Sequence, residues 1–327
     1  MSGLTEKQMD TFNRQGYLVV DDVEGLADCM HDLEEEYSCV LDALLSDLIE
    51  KGQIVAKYPH NGFSDRFTEL VKETGRAFDA HFDFSLPQKG VTLDTPMWHG
   101  PAMFNVITHD PLLDIVESII GGEIYSNPVQ HVRIKPPEKD MPVNPANGRS
   151  EWGPLVSRTP WHQDSGVINE SADDSNILTV WMPVWDVPVE SGCLQVKPNT
   201  VNFGLYQHCP NILGASIPEK VINTVDSVSV AMTRGSVLLM HKLTPHSSLP
   251  NLSEKVRWSL DLRYNPIGQA TGRDAFPGFV ARSRKDSRTV LEDATIWAEM
   301  WKDTRLRLAE EEDPQYNRWD GDDPLCA

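Results

Sequence analysis

The first hundred residues carry a helical pattern of apolar positions. Between residues 26 and 48, apolar side chains recur at three- and four-residue steps, which puts them on one face of an α-helix. The members of this face are Leu26, Met30, Leu33, Tyr37, Leu41, Leu44, Leu45 and Leu48. Acidic residues between them are expected to face water, and Gly52 stands where a C-terminal cap belongs. Further helices are predicted over residues 65–82, 111–120 and 291–309.

From about residue 123 the pattern changes to short β-rich runs separated by proline, glycine and asparagine. Strands are predicted over residues 124–125, 129–134, 177–184, 193–196, 227–231, 236–240 and 256–264. Short strands at this spacing are typical of a sandwich or barrel and not of alternating βαβ units. Residues 136–158 are predicted to form a long loop at the barrel mouth, and loops of this length are often functional.

No internal repeat or clear boundary divides the chain, so we predict a single domain over residues 1–327. Within it, residues 1–122 are mainly helical and residues 123–268 form the β core. Residues 269–327 are predicted to hold a C-terminal helix and an acidic, poorly structured tail.

The net charge of −20 limits the kinds of partner. Such a surface repels the phosphates of nucleic acids and anionic membranes, so we expect neither as a partner. One basic run, Arg282, Arg284, Lys285 and Arg288, is interpreted as a solvated turn before the last helix. No apolar run approaches the ~20 residues that span a bilayer. A small molecule is the expected substrate.

The cysteines give a prediction about the cellular compartment. There are five of them, Cys29, Cys39, Cys193, Cys209 and Cys326, and no C-x-x-C pair. An odd count in a chain of this size suggests free thiols in a reducing compartment. The N-terminus lacks the basic and apolar regions of a signal peptide. We therefore expect a soluble cytoplasmic protein.

A candidate metal site begins at Trp161-His162-Gln163-Asp164. In an extended strand alternate side chains share a face, so His162 and Asp164 are expected to point to the same side. Imidazole and carboxylate are two of the three ligands in the facial triad that leaves positions open on iron(II). His246 follows the predicted strand 236–240 and can supply the third ligand. Taken alone, a His-x-Asp tripeptide also fits a surface turn.

The predicted strand 256–264 begins beside an arginine. Arg257 lies eleven residues after His246 and shares a face with Ser259, while Trp258 takes the other face. A buried guanidinium is costly unless it is paired, and its planar fork fits the distal carboxylate of 2-oxoglutarate. Farther along the same face, Asp261 and Arg263 are expected to form an internal ion pair.

Taken together, these motifs resemble the phytanoyl-CoA dioxygenase family of iron(II)/2-oxoglutarate oxygenases. The resemblance rests on Trp-His-Gln-Asp at 161–164, Trp181 within 178–184, Ser-Gly-Cys-Leu at 191–194, and Pro-His-Ser-Ser-Leu-Pro-Asn at 245–251 with its following arginine. It covers roughly residues 10–268 and is closest over 160–265. One departure is Pro-Asn-Thr at 198–200, where the family usually has Pro-Gly-Ser-His. That departure concerns substrate contacts and leaves the metal site intact.

The resemblance implies a mainly β fold with flanking helices, whose core is a double-stranded β-helix (jelly roll, cupin-like). It implies that His162, Asp164 and His246 are the catalytic iron ligands and that Arg257 with Ser259 binds 2-oxoglutarate. Trp181 is then near the cosubstrate, and Gln163 and Thr179 are further candidates for that subsite.

The implied reaction uses Fe(II), 2-oxoglutarate and O₂ to hydroxylate or desaturate an unactivated C–H bond of a small molecule, releasing succinate and CO₂. Related halogenases lack the carboxylate to make room for halide, so Asp164 predicts hydroxylation or desaturation. Substrate identity and oligomeric state are not predicted.

Two other functions fit the residues less well. A cupin-like hydrolase or isomerase could use the same ligands around zinc, but it has no need for a keto-acid anchor such as Arg257. A catalytically silent barrel could act as a binding protein, but no ligand is missing. His241 is the alternative third ligand, and the spacing of Arg257 favours His246.

Overall fold

The structure is a computed structural model that describes residues 3–56, 58, 62–141, 158–211, 214–316 and 318–326. Its helices are α1 (Glu6–Gln15), α2 (Leu26–Glu50), α3 (Phe63–Thr74), α4 (Pro101–Ile107), α5 (Asp110–Ile120), α6 (Glu219–Ile222) and α7 (Ala294–Glu310). Its strands are β1 (Tyr17–Val20), β2 (Glu123–Ser126), β3 (His131–Lys135), β4 (Leu178–Pro183), β5 (Leu194–Val196), β6 (Cys209–Asn211), β7 (Gly214–Ser216), β8 (Val228–Val230), β9 (Val237–His241), β10 (His246–Ser248), β11 (Arg257–Pro266) and β12 (Phe279–Ser283). Most of the loop predicted over 136–158 lies outside the described residues.

The strands form two main antiparallel sheets. The large sheet has seven strands in the order β1-β9-β4-β11-β2-β12, with β3 also pairing with β11. The small sheet has the order β10-β5-β8. Apolar side chains of both sheets meet in one cluster, including Trp181 and Met240 from the large sheet and Leu194 and Val230 from the small one. This two-sheet core with flanking helices agrees with the predicted jelly roll.

The outer face of the large sheet packs against the helices. Every residue of the predicted apolar face of α2 is buried. These side chains belong to one core cluster with α4, α5, α7 and the outer side chains of β4, β9 and β11. Burial of apolar surface on this scale is the main force that holds the helical layer on the sheet. The other face of the sheet is therefore left to form the site.

The second predicted helix is too long. The predicted range was 65–82, but α3 ends at Thr74, because Gly75 adopts a left-handed conformation (φ +67°) and caps the helix. A short 3-10 turn follows at Asp79–His81. The helices predicted over 111–120 and 291–309 are confirmed within three residues at each end.

The C-terminal region contributes more to the core than predicted. β12 pairs with β2, so the large sheet extends beyond the boundary expected at residue 268. The basic run is solvated only in part: Arg284, Lys285 and Arg288 are exposed, whereas Arg282 is buried and forms ion pairs with three acidic residues of α5. Trp319 of the tail stacks on His208, so this tail is anchored to the core.

The prediction of free thiols is wrong for two of the five cysteines. Cys209 of β6 forms a disulfide with Cys326, which is 117 residues away in the sequence. Cys29, Cys39 and Cys193 are free. The pairing has no local signal, because tertiary structure alone brings β6 next to the tail. Of the helices in the described ranges, none is both long and apolar enough for a bilayer crossing.

Candidate metal centre

Three side chains that are distant in sequence meet between the two sheets. His162, Asp164 and His246 are all buried, and one potential ligand atom of each lies within 4.8 Å of the others. The two imidazole ring centres are 4.2 Å apart, and Nε2 of His246 lies 4.0 Å from Oδ1 of Asp164. In the described part of the chain this is the one such cluster of histidine, cysteine and acidic side chains. Two imidazoles and one carboxylate form the facial triad expected of iron(II) oxygenases.

Backbone pairing brings these ligands together. His162 and His246 face each other in an isolated antiparallel bridge, with backbone N–H···O distances of 3.0 and 2.9 Å. Gln163 is extended, and Asp164 opens the 3-10 helix Asp164–Val167. His162 and Asp164 therefore point to the same side, as their alternate spacing predicts.

Both imidazoles are oriented by main-chain carbonyls. Nδ1–H of His162 donates to the carbonyl of Pro160 at 2.9 Å, and Nδ1–H of His246 donates to that of Thr244 at 3.0 Å. Each bond fixes the tautomer that leaves the Nε2 lone pair available for a metal. Burial, helped by the nearby His246, also holds the pKa of His162 well below its usual value. His162 is thus held in the neutral form that binds metals.

The carboxylate ligand is held by two side chains of the large sheet. Oδ1 of Asp164 accepts a hydrogen bond from Nη2 of Arg263, and Oδ2 accepts one from the hydroxyl of Thr179. Although burial opposes it, the Arg263 guanidinium holds the pKa of Asp164 well below its usual range. Thr179, which is predicted to line the cosubstrate subsite, thus donates a hydrogen bond directly to a candidate metal ligand.

Arg257 is buried with a guanidinium edge that has no partner. Only 1% of the residue is exposed, and Nη1 donates to the hydroxyl of Ser259. Nε and Nη2, which share one edge, have no hydrogen-bond partner among the described residues. Trp181 lies under the guanidinium, 5.7 Å from ring centre to Cζ. Burial lowers the pKa of Arg257 to about 10, so it stays charged at neutral pH. An open edge of this kind matches a carboxylate bidentately.

The neighbouring strand adds two cations that the sequence did not point to. β3 pairs with β11 so that Lys135 lies opposite Arg257 and Arg133 lies opposite Ser259. Lys135 is buried, and Nζ donates to the hydroxyls of Thr159 and Ser248. Burial lowers its pKa well below the usual value. Alternation along β3 could have revealed this face once its register with β11 was known.

The polar face of the large sheet therefore carries more positive than negative charge. Its buried cations are Arg133, Lys135, Arg257 and Arg263, and its buried carboxylates are Asp164 and Asp261. Even with Lys135 neutral, the arginines outnumber the carboxylates. Burying a charged group without a counterion costs roughly several kcal/mol of free energy per ion. The excess favours an anionic ligand.

One sequence prediction about this face is wrong and another is confirmed. Asp261 does not pair with Arg263; it forms an ion pair with Arg133, while Arg263 pairs with Asp164. The sequence shows which residues share a face, but strand register decides which of them meet. Trp258 does lie on the opposite face, stacked on Phe63 at 4.6 Å between ring centres.

Gln163 is not brought to the metal or to Arg257. Its amide nitrogen donates to the carbonyls of Gly204 and Leu243, and its amide oxygen accepts from the backbone N–H of Tyr206. It lies between the two ligands in an extended segment, so its side chain takes the other side. His241, the alternative third ligand, is also outside the cluster, and its Nδ1 accepts from the backbone N–H of Leu243.

Two cavities adjoin the ligands. The outer cavity has a volume of about 600 Å³ and is lined in part by His162, Val129, Val167, Arg263 and Arg273. The inner cavity is much smaller, about 10 Å³. Its lining includes His162, His246, Trp181 and Asp261. The outer volume is in the range of small-molecule sites, whereas the inner one has room for about one water.

Comparison with known proteins identifies the family. The profile of the family Phytanoyl-CoA dioxygenase (PhyH) matches residues 12–259, about three quarters of the chain. The chain belongs to the phytanoyl-CoA dioxygenase family. A phytanoyl-CoA dioxygenase of Arabidopsis thaliana is 24% identical over 79% of this chain and 88% of that protein. The 1-deoxypentalenic acid 11-beta-hydroxylase of Streptomyces exfoliatus is 25% identical over 57% of this chain and 65% of that protein.

A solved structure supports the fold. The apo form of the non-heme monooxygenase ThoJ superimposes with a TM-score of 0.53 at 15% identity, covering 92% of this chain and 97% of that one. As a phytanoyl-CoA dioxygenase family member, the chain is a 2-oxoglutarate-dependent non-haem iron oxygenase whose cofactors are iron and 2-oxoglutarate. The cluster of two histidines and one aspartate fits the metal, and the open edge of Arg257 fits a carboxylate.

Proposed function

We propose that this enzyme hydroxylates, or desaturates, an unactivated C–H bond of a small molecule. In this proposal His162, Asp164 and His246 hold the iron, and Arg257 with Ser259 binds the distal carboxylate of 2-oxoglutarate. Bound iron supplies the site at which 2-oxoglutarate and O₂ are converted into succinate, CO₂ and the oxidising equivalent. The remaining chemistry is positioning, and it belongs to the side chains of this chain.

The observation that carries the proposal is the open guanidinium edge of Arg257. A buried, charged group with two unpaired N–H donors destabilises the protein unless a ligand satisfies them. A dicarboxylate satisfies the donors and offsets the excess positive charge of the same face. A zinc hydrolase or isomerase gives no role to this arginine, and neither does a silent barrel.

Binding of 2-oxoglutarate requires local rearrangement. The inner cavity measures about 10 Å³, far less than a five-carbon diacid needs. Arg133 and Asp261 line this cavity and form an ion pair with each other. We infer that this pair moves aside when the cosubstrate enters, while Arg263 and Thr179 keep Asp164 in place.

The outer cavity is the proposed substrate site. It reaches His162, and its volume suits a small organic molecule. The relative from Streptomyces exfoliatus is a hydroxylase whose name specifies a small carboxylic acid. An acyl-CoA finds less support, because the three arginines of the basic run that could meet its phosphates are already paired, Arg282 and Arg284 with α5 and Arg288 with Asp286. Asp164 favours hydroxylation or desaturation over halogenation, because it fills the position that a halide needs.

The test is formation of the iron–2-oxoglutarate complex without oxygen. Fe(II) plus 2-oxoglutarate should give a weak visible charge-transfer band with the wild-type protein. His246→Ala should abolish the band, and Arg257→Met should weaken cosubstrate binding by about 30-fold or more, since it removes a buried charged contact. His241→Ala is the matched control and should behave like the wild type.

Absence of the band from folded, iron-loaded protein would rule the proposal out. Loss of the band in His241→Ala but not in His246→Ala would reassign the third ligand. Once the band is established, succinate release against a panel of small molecules identifies the substrate.

A further inference from the structure

A second buried arginine lies in the outer cavity, away from the three metal ligands. Arg273 is only 2% exposed, yet it lines this cavity together with His162. It follows β11 in the loop that leads to β12. The proposed roles of the metal ligands and Arg257 do not use it.

The contacts of Arg273 are polar but uncharged. Nη2 donates to the carbonyl of Val167 at 2.9 Å, and the side-chain oxygen of Gln88 can accept from Nη1 and Nη2 at 3.2 and 3.3 Å. Tyr316 and Phe276 lie beside the guanidinium, with ring centres 5.2 and 5.9 Å from Cζ. Nε has no partner, and no carboxylate among the described residues lies within ion-pair distance.

The position of Arg273 is fixed relative to the segment that carries Asp164. Val167 ends the 3-10 helix that begins with the ligand Asp164. The backbone N–H of Asn169 donates to the carbonyl of Gly272 at 3.0 Å. A Cβ on Gly272 would meet Ile168 at 2.8 Å, so the two segments are in close contact. A guanidinium that is held this firmly can determine how a substrate is oriented.

The other charges of the cavity leave Arg273 without a counterion. Arg263 is paired with Asp164 and Arg133 with Asp261. Asp79 also lines the cavity, but among the described residues it forms no ion pair with Arg273. Lys89 is exposed and sits at the rim.

We propose that Arg273 binds a carboxylate of the substrate, and that the enzyme oxidises an otherwise apolar monocarboxylic acid. This inference rests on the proposed function and names its substrate class. One guanidinium suits one monoanion, whereas a phosphate monoester or a CoA group demands several cations. Leu86, Val129, Pro210 and Ala215 supply apolar surface for the rest of the molecule.

The test compares acids with their uncharged amides. Octanoate, cyclohexylacetate and naphthylacetate, each beside its primary amide, are titrated calorimetrically into anaerobic protein with Fe(II) and saturating 2-oxoglutarate. At least one acid should bind about 30-fold tighter than its amide. A 30-fold difference corresponds to about 2 kcal/mol, the contribution expected from one buried charged contact. Saturating 2-oxoglutarate keeps the acid out of the Arg257 subsite.

Variants separate binding from folding. Arg273→Met should weaken binding of the acid by about 30-fold and change binding of the amide less than ~3-fold. Arg273→Lys should keep a preference for the acid. Lys89→Met, an exposed cation of the same cavity, should change binding of the acid less than ~3-fold.

The inference would be overturned if acid and amide bound equally well, or if no acid bound. It would also be overturned if 2-oxoglutarate displaced the acid, or if Arg273→Met behaved like the wild type. The iron–2-oxoglutarate band is recorded on the same samples. A missing band alone would refute the proposed function, whereas a normal band with no acid preference would refute this inference.

Discussion

The two faces of β11 are equally buried, but different forces hold them in place. On the outer face, Trp258, Leu260 and Leu262 are 0% exposed and pack among the helices. On the inner face, Arg257 and Arg263 are 1% and 3% exposed and lie among other charges. Burial stabilises the outer face directly, since it removes apolar surface from water. On the inner face the same burial costs free energy that ion pairs and ligands must offset.

The side chains on the two faces of β11 also differ in the contacts that they make. The outer side chains pack against apolar neighbours, as Trp258 does against Phe63 at 4.6 Å and Tyr37 at 5.3 Å between ring centres. On the inner face Arg263 has a counterion in Asp164, whereas neither Nε nor Nη2 of Arg257 has a hydrogen-bond partner among the described residues. A buried cation that lacks a counterion indicates where an anionic ligand can bind.

The largest expected effect is on the outer face. Trp258→Ala should lower the free energy of unfolding by about 3–5 kcal/mol, because it removes a fully buried aromatic side chain and leaves a cavity. Denaturant titration measures this loss, and added 2-oxoglutarate should restore none of the lost packing. Leu252→Ala, at a 68% exposed position, is the control and should change stability by less than ~0.5 kcal/mol. A loss below about 1 kcal/mol for Trp258→Ala would mean that the outer face is not the scaffold.

An intermediate effect is expected on the inner face, with the opposite dependence on ligand. Replacing a buried ion by an apolar group of similar size is often neutral or stabilising, so Arg257→Met should not destabilise the iron-loaded protein without 2-oxoglutarate. At 100 times its Kd the cosubstrate should stabilise the wild type by about 2.7 kcal/mol and the variant hardly at all. Melting temperatures with and without 2-oxoglutarate provide the measurement. Equal stabilisation of both proteins would contradict the contrast between the faces.

The smallest effect concerns pH and the helical layer. His99 lies 4.7 and 5.2 Å from Trp297 and Trp301 between ring centres, and its Nε2–H donates to the carbonyl of Phe84. Burial lowers the pKa of His99 to about 3, from 6.5 in an open chain. Between these values only the unfolded state takes up the proton. Over the first pH unit below 6.5, the free energy of unfolding should therefore fall by about 1 kcal/mol from this residue.

His99→Gln should reduce this acid sensitivity, measured as unfolding free energy at a series of pH values. His31→Gln, at an exposed histidine, serves as the control. An unchanged slope in His99→Gln would show that His99 is not kept neutral by the helical layer. On the inner face, burial does not leave the titratable group neutral. Although burial opposes it, Arg133 and Arg263 lower the pKa of Asp261 and hold its carboxylate in the charged form.

Local sequence determined the elements and most of the candidate site. The apolar face of α2 follows from its three- and four-residue steps, and the two faces of β11 follow from alternation. His162 and Asp164 share a side for the same reason, and the motif around His246 and Arg257 indicated the family that the comparisons identify. These signals are readable because they depend on residues a few positions apart, where backbone geometry alone fixes direction.

Only the tertiary structure decided which of these residues meet. Strand register brings Asp261 next to Arg133 and places Lys135 opposite Arg257. Arg263 forms its ion pair with Asp164, which lies outside the strands. Gln163 turned out to bind loop carbonyls. Arg273, Cys209 and Cys326 find their surroundings through loops that close over long stretches of chain. Such encounters depend on how whole sheets and loops pack, and the spacing of residues along the chain carries no record of that packing.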